Sequence, residues 1–310
     1  MKNRQREALT ALLFASPWII GFSVFLLYPL LASLYYSFCD YSVLRPPVWV
    51  GMENYRDLFH DKVFYQTLTN TGLFAMLALP MGMFVAISLA LMLNAKIKGM
   101  TLYRTFFYVP SLVPGASLAM LGLWVFNGEH GVLNHILDPI LNAVPNLIHF
   151  VLHIPVHHIK PPQWLSDPDW SKPALVVLGV WGAGNSMVIY LAGLQDVPQA
   201  LYEAAELDGA GWWAKTRHVT LPMLSPVILF NLIMGIIGTL QVFTLPFIMF
   251  PGGTPARSTY FYTMYLYDNA FVYLKMGYAC AMGWIMFLII MALTFIALRL
   301  SEKRVHYSGG

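Results

Sequence analysis

The segment from Tyr202 to Pro222 reads YEAAELDGAGWWAKTRHVTLP and is a polar stretch between two strongly apolar ones. Glu203 and Glu206 are predicted to lie in a helix that Gly209 is placed to end, and a second short helix is expected to follow from Trp212. The sequence therefore predicts a helix, a glycine break and another helix. Such an element suits either docking to another protein or lying at a membrane surface, where tryptophans prefer the headgroup region.

The composition places the chain among membrane proteins. Of its 310 residues, 58% are hydrophobic and 11% are charged, and the mean hydropathy is +0.60. Soluble domains carry about 25% charged residues. The formal net charge of +3 and the lack of a basic run argue against nucleic acid as a partner and favour the lipid bilayer.

Long apolar windows predict the fold class. A bilayer core of about 30 Å requires about 20 helical residues, and long spanning runs must be helical to satisfy their backbone hydrogen bonds. Six windows of sufficient length contain no Asp, Glu, Lys, Arg or His. We therefore expect an all-α integral membrane protein with six transmembrane helices in a single transmembrane domain over residues 1–310. The windows are Thr10–Phe38, Thr67–Asn94, Thr105–Phe126, Pro173–Leu194, Leu224–Phe250 and Gly277–Leu298.

The distribution of charge predicts the orientation. With the N-terminus inside, the inner segments hold 11 basic and 6 acidic residues, and the outer segments hold 7 basic and 9 acidic residues. Basic residues favour the cytoplasmic side. Both termini and residues 198–222 are thus predicted to be cytoplasmic, and residues 127–172 form an extended periplasmic segment.

The polar stretch resembles a known motif. Glu203-Ala204-Ala205, three residues, Gly209, nine residues and then Val219-x-Leu221-Pro222 resembles the EAA loop of ATP-binding cassette (ABC) importer permeases, with Val219 in place of the usual isoleucine. Residues 198–222 are called the EAA loop below. Further stretches from Leu102, from Trp181 and from Phe250 are similar to the carbohydrate-uptake branch of that family. The comparison is with the larger permease subunit of the maltose transporter, without its large periplasmic domain.

This resemblance implies a mechanism with several partners. The permease would have the type I importer fold in the inner membrane and form a heterodimer with a second related permease. Two ATPase subunits would bind the EAA loop, and an extracytoplasmic binding protein would deliver the solute. The chain has no phosphate-binding GxxxxGK[ST] motif, so we expect no enzyme activity and no cofactor of its own, with ATP and Mg at the partner ATPase. The residues expected to couple to the ATPase are Glu203, Ala204, Ala205, Asp208, Gly209, Leu221 and Pro222.

Neutral polar residues within the windows predict the solute path. No window holds an ionisable residue, which disfavours both a proton-coupled carrier and a charged substrate. Amides and hydroxyls beside aromatic rings suit a sugar, and the resemblance places several of them in its sugar-facing region. The alternative is that these groups only bond to neighbouring helices. The candidate path residues are Trp181, Gly182, Asn185, Ser186, Gly235, Thr239, Gln241 and Phe243.

Three features remain open in the sequence. Residues Pro139–Val156 are too polar for a span and are interpreted as an interfacial helix. Six histidines lie between His130 and His158, but proline interruptions and the lack of a nearby acid argue against a metal site. Cys39 and Cys280 could form a disulfide.

The expected function is carbohydrate import, of an oligosaccharide or glycoside, as the membrane subunit of an ABC importer. The alternatives are an ABC permease for another polar solute, such as a polyol phosphate, and a stand-alone secondary carrier.

Overall fold

The computed structural model describes residues 2–95, 97–143 and 159–302. The chain divides into two compact units, Met1–Phe64 with Tyr265–Ile289 and Tyr65–Met264 with Ile290–Gly310.

Helices make up nearly all of the regular structure in the described residues, so the predicted all-α class is confirmed. One pair of two-residue strands, Cys39–Asp40 and Val48–Trp49, is antiparallel with Cys39 opposite Trp49. Within the described residues, five short segments are 3-10 or π helices: Ser23–Leu27, Val109–Leu112, Thr216–Thr220, Pro251–Gly253 and Asp268–Val272. The α-helices are Lys2–Phe22, Tyr28–Ser37, Glu53–His60, Lys62–Leu93, Met100–Tyr108, Gly115–Val125, Val132–Leu141, Pro168–Trp181, Gly184–Gln195, Gln199–Leu207, Trp212–Lys215, Leu221–Met223, Ser225–Leu240, Thr244–Met249, Tyr262–Tyr267 and Met276–Ser301.

Among the described residues, four helical segments are by themselves long and apolar enough to cross a bilayer. Two more candidates are pairs of helices that pass the same test together but are bent at a break. Six spans result when each bent pair is counted as one. The six, numbered below as first to sixth span, are Leu9–Ser37, Lys62–Leu93, Met100–Leu112 with Gly115–Val125, Pro168–Trp181 with Gly184–Gln195, Ser225–Met249 and Met276–Ser301.

The third span is bent by 95°, which the charge-free window did not predict. The break lies at Val113 and Pro114. The ring of a proline disfavours helical geometry in the residue before it, and Val113 has an extended ψ of 125°. Pro114 then caps the next helix with a ψ of 141°. The window measured only hydrophobicity, and this backbone effect overrides it.

The fourth span bends by 50° between Trp181 and Gly184. Here the backbone tightens, since the N–H of Gly182 donates to Gly179 O and that of Ala183 donates to Val180 O, both at 3.0 Å. These bonds join residues three apart instead of four, which is typical of a helix that ends.

In the first unit, a short polar cap follows the first span. The side-chain amide of Asn54 donates to Ser37 O at 3.0 Å and to Cys39 O at 2.9 Å, which fixes the turn into the strand pair. Gly277 lies so close to this strand that a Cβ there would be 2.0 Å from Cys39 O, so the contact requires glycine. Both Cys39 and Cys280 are free thiols, so the disulfide considered above is absent from the structure.

The core of the second unit consists of small residues of one span packed against larger side chains of others. Ala86 and Ala90 of the second span are fully buried with Met187 and Tyr190 of the fourth and Leu224 before the fifth. Small side chains permit this close approach of helices, as expected for membrane bundles.

Two asparagines organise the described part of the extended segment 127–172. Asn134 donates to Gly128 O and Pro162 O and accepts the indole N–H of Trp164 at 2.7 Å. Asn142 likewise binds the backbone N–H and O of Ile159. Residues 144–158 lie outside the described part, and with them His149, His153, His157 and most of the predicted interfacial helix Pro139–Val156.

Candidate functional site

The first half of the EAA loop is the helix Gln199–Leu207, and Gly209 ends it as predicted. Gly209 adopts φ of +76°, which suits glycine because it has no Cβ. Its N–H donates to Glu206 O at 3.0 Å, and the N–H of Ala210 donates to Ala205 O at 2.9 Å. This pair of bonds is a Schellman motif, which satisfies the last carbonyl groups of the helix and reverses the chain.

The second half of the loop folds back on the first. After the predicted helix at Trp212–Lys215, the Lys215 ammonium lies 2.7 Å from the Glu206 carboxylate. Further along, the hydroxyls of Tyr202 and Thr220 are 3.1 Å apart and hydrogen-bonded. Thr220 is buried, so its hydrogen bond with Tyr202 anchors the helix Gln199–Leu207 to the interior of the second unit.

The tip of the EAA loop presents apolar side chains to its surroundings. Leu207 is 90% exposed and Trp213 is 78% exposed, and Trp213 contacts the exposed Trp212 edge to face with ring centres 4.6 Å apart. Such bulky exposed groups are typical of interaction surfaces. Of the residues predicted to couple, Glu203, Ala204, Asp208 and Gly209 are exposed, and Ala205, Leu221 and Pro222 are half-buried.

A second feature of the same unit is a cavity of about 180 Å³ between three spans, called the neutral cavity below. Ala78, Leu79, Gly82 and Met83 of the second span form one wall, and residues at the bend of the fourth span and on one face of the fifth complete the lining. None of its described lining residues carries a charge. The lining residues are Ala78, Leu79, Gly82, Met83, Gly179, Gly182, Ala183, Ser186, Asn231, Gly235 and Thr239.

Three neutral polar side chains face this cavity: Ser186, Asn231 and Thr239. The Thr239 hydroxyl donates to Gly235 O at 2.8 Å, and the Asn231 amide donates to Val227 O at 3.0 Å. In both bonds the side chain acts as the donor. The oxygen atom of each side chain can therefore still accept a hydrogen bond from a ligand hydroxyl. The surrounding glycines let a ligand approach the backbone closely.

Four of the predicted path residues, Gly182, Ser186, Gly235 and Thr239, line this cavity together. The other four lie elsewhere in the unit. Asn185 accepts a hydrogen bond from Ser111 at 3.4 Å, and Trp181 is about half-exposed. Gln241 is an exposed residue at the end of the helix Ser225–Leu240, and the Phe243 ring stacks on Phe247 with centres 4.8 Å apart.

The second span was not predicted to contribute to the path. Its lining residues Ala78, Leu79, Gly82 and Met83 are apolar or small, a composition that any membrane helix shares. Pro80 lies within this stretch, where its missing N–H removes one hydrogen bond of the helix, but a proline does not by itself indicate a ligand site.

The first unit contains a separate polar pocket of about 390 Å³ beside Asp61. The Asp61 carboxylate accepts hydrogen bonds from the Tyr265 hydroxyl and, at 2.9 Å, from the Tyr278 hydroxyl. It also accepts the N–H of Val63 at 2.8 Å and so caps the helix Lys62–Leu93.

The ionisation of this pair follows from its surroundings. Burial raises the pKa of Asp61, but the hydrogen bonds from Tyr265, Tyr278 and the backbone outweigh it, and the carboxyl pKa lies below its usual value. Burial, followed by the hydrogen bond to Asp61, raises the pKa of Tyr265 to about 12. At neutral pH the Asp61 carboxyl is therefore ionised and the Tyr265 phenol is neutral.

No cluster of three or more His, Cys, Asp or Glu close enough for a metal ion occurs in the described residues.

In the second unit, membrane-spanning helices surround an uncharged cavity, and the exposed EAA loop joins two of the spans. This combination is typical of a membrane transport subunit. The chain belongs to the family described as binding-protein-dependent transport system inner membrane component, whose family model matches residues 78–307. It is thus a multi-pass permease of the ABC importer class, in which ATP hydrolysis belongs to a separate subunit.

Relatives match over nearly the full length. The probable ABC transporter permease protein YesP of Bacillus subtilis (strain 168) is 36% identical over 99% of this chain and 94% of its own length. The sulfoquinovosyl glycerol transport system permease protein SmoG of Agrobacterium fabrum is 32% identical over 96% and 92%. The lactose transport system permease protein LacF of Rhizobium radiobacter is 33% identical over 94% of each chain.

A solved structure has the same fold. One chain of a bacterial ABC transporter involved in the import of the acidic polysaccharide alginate superposes with a TM-score of 0.78 at 24% identity, covering 97% of this chain and 98% of the other. The predicted importer permease fold is therefore confirmed.

Proposed function

We propose that this chain is the permease of an inner-membrane ABC importer that takes up an uncharged carbohydrate, an oligosaccharide or glycoside. The observation that carries the proposal is the neutral cavity, whose polar lining consists of one amide and two hydroxyl groups. Such groups exchange hydrogen bonds with sugar hydroxyls, whereas an anion would be desolvated there without a counter-charge. The names of the relatives SmoG and LacF support a sugar of some kind.

The size of the cavity limits what it encloses. About 180 Å³ is below the roughly 300 Å³ at which pockets for small molecules usually begin. One sugar unit would therefore lie in this chain, and the rest of an oligosaccharide would contact the second, related permease of the proposed heterodimer.

The EAA loop is proposed to bind one of two ATPase subunits on the cytoplasmic side. Glu203 is exposed and supplies the charged contact, while Ala204, Ala205 and Gly209 allow close packing against a cleft. The exposed apolar side chains of Leu207, Trp212 and Trp213 support a protein partner, because they would be buried on docking. ATP and Mg would bind the ATPase, this chain would bind no cofactor, and an extracytoplasmic binding protein would deliver the solute.

Uptake by the complete importer in proteoliposomes tests this function. We expect ATP-dependent accumulation of a neutral probe such as radiolabelled lactose, and much weaker uptake of an alginate oligosaccharide or a polyol phosphate. Preferential uptake of either anion would contradict the proposed substrate class. Accumulation by this chain without any ATPase would instead identify a secondary carrier.

A further inference from the structure

On the basis of the proposed carbohydrate uptake, we propose that Leu79 sets the width of the neutral cavity and thereby the size of the sugar unit that passes it. Leu79 belongs to the second span and lies opposite Gly235 of the fifth. A Cβ at Gly235 would lie 2.3 Å from Leu79 Cδ1, so the tip of the leucine rests on bare glycine backbone. At this contact a leucine side chain of one cavity wall faces a residue without a side chain in the other.

The backbone near this contact is the part of the cavity wall that can yield. Pro80 follows Leu79 directly and has no N–H to donate to the preceding turn, which weakens the helix at this point. Across the cavity, the fourth span is broken beside Gly182. Leu79 is half-buried and lines the cavity, so a change in the position of its tip changes the open space.

Substitutions at the two positions have opposite effects on that space. Gly235→Ala must displace the Leu79 tip, and the free volume next to that side chain is the cavity itself. Leu79→Ala removes the tip and widens the cavity. In the double variant the added methyl group no longer meets a leucine, so the space returns toward its original size. Gly238→Ala is the matched control, because nothing lies within 4 Å of a Cβ there.

A labelling experiment measures this width without any sugar. Ser186→Cys, in the full chain with Cys39 and Cys280 replaced by alanine, places one thiol in the cavity lining. We expect Gly235→Ala to slow its reaction with N-ethylmaleimide roughly tenfold, the size of a modest overpacking effect. Leu79→Ala added to Gly235→Ala should restore the rate, and Gly238→Ala should leave it unchanged. Equal rates in all variants, including no reaction in any, would overturn the proposal.

Uptake by the complete importer then links width to specificity. With methyl glucoside and lactose as probes, Gly235→Ala should raise KM for the disaccharide more than for the monosaccharide, and Leu79→Ala should reduce that difference. Altered labelling with an unaltered ratio of the two KM values would overturn the role of Leu79 while leaving the proposed function intact. Failure of the unsubstituted importer to take up any neutral sugar would overturn the proposed function itself.

Discussion

Among single residues, Asp61 makes an unusual set of contacts. Its carboxylate accepts hydrogen bonds from two tyrosines that are distant in the sequence and from the backbone at the start of a membrane helix. Because its pKa is lowered in the folded state, the ionised form stabilises the fold above the unfolded pKa of about 3.9, and this stabilisation is lost as the pH falls through the folded value. We expect Asp61→Asn to lower stability at pH 7 by about 1 kcal/mol, since hydrogen bonds to a charged group are stronger than neutral ones.

The measurement is thermal unfolding in detergent, followed by tryptophan fluorescence between pH 3 and pH 7. The unsubstituted chain should lose stability toward pH 3, and Asp61→Asn should lose less over that range. Asp57→Asn is the control, because Asp57 is exposed and lines the same pocket. A profile for Asp61→Asn parallel to that of the unsubstituted chain would contradict the role given to this carboxylate.

Asn231 and Gln241 test the extent of the solute path. Asn231 lines the neutral cavity, whereas Gln241 is exposed at the end of its helix. We expect Asn231→Ala to raise KM for sugar uptake about fivefold, corresponding to one neutral hydrogen bond of about 1 kcal/mol. Gln241→Ala should also impair uptake, but less, if the path extends beyond the cavity.

Both variants should assemble normally with the partner subunits, which co-purification would verify. An effect of Gln241→Ala larger than that of Asn231→Ala would place the main sugar contact outside the neutral cavity. Normal uptake in Gln241→Ala would remove Gln241 from the solute path.

Among the elements, the EAA loop depends on the backbone of Gly209. A residue with a Cβ at φ of +76° is strained by roughly 1–2 kcal/mol. We expect Gly209→Ala to weaken the Schellman motif, misplace the helix at Trp212–Lys215 and reduce ATPase binding at least several-fold. Gly211→Ala is the matched control two residues away, because Gly211 has φ of −69° and open space at its Cβ position. Equal binding by the two variants, measured by co-purification, would contradict the geometric role of Gly209.

Local signals predicted this loop well because its structure is encoded locally. The glycine stop and the helix restart at Trp212 depend on residues a few positions apart. The path residues Gly235 and Thr239 were predicted on other grounds. Thr239 is a neutral hydroxyl within an apolar window, and Gly235 was expected to face the solute because of the resemblance to carbohydrate-uptake permeases.

Other elements could not be predicted from local pattern. The break at Val113 lies inside an uninterrupted apolar window, where hydropathy does not report on backbone geometry. The contacts of Asp61 with Tyr265 and Tyr278 join residues more than 200 positions apart. Leu79 is an ordinary apolar residue in the sequence and becomes distinctive only through the glycine it covers.

At the scale of the whole molecule, the predicted orientation assigns the EAA loop and the segment 127–172 to opposite sides of the membrane. An exposed glutamate lies in each of these two segments, Glu203 in the EAA loop and Glu129 in the segment 127–172, so the two residues can be compared. Reversal of charge at an interface introduces like-charge repulsion or removes a charged contact, typically a loss of about 2–5 kcal/mol when that contact is buried on binding. Reversal at an exposed residue outside any interface changes little.

We therefore expect Glu203→Lys to abolish co-purification of the nucleotide-binding subunit, and with it ATP-driven uptake, while the two permeases still associate. Glu129→Lys should retain the ATPase, because the predicted topology places it across the bilayer from that subunit. Loss of the ATPase in both variants would reflect general destabilisation, which thermal unfolding would reveal. Retention of the ATPase by Glu203→Lys would mean that the motor contacts another part of this chain, and the EAA loop would then lose its proposed role in coupling.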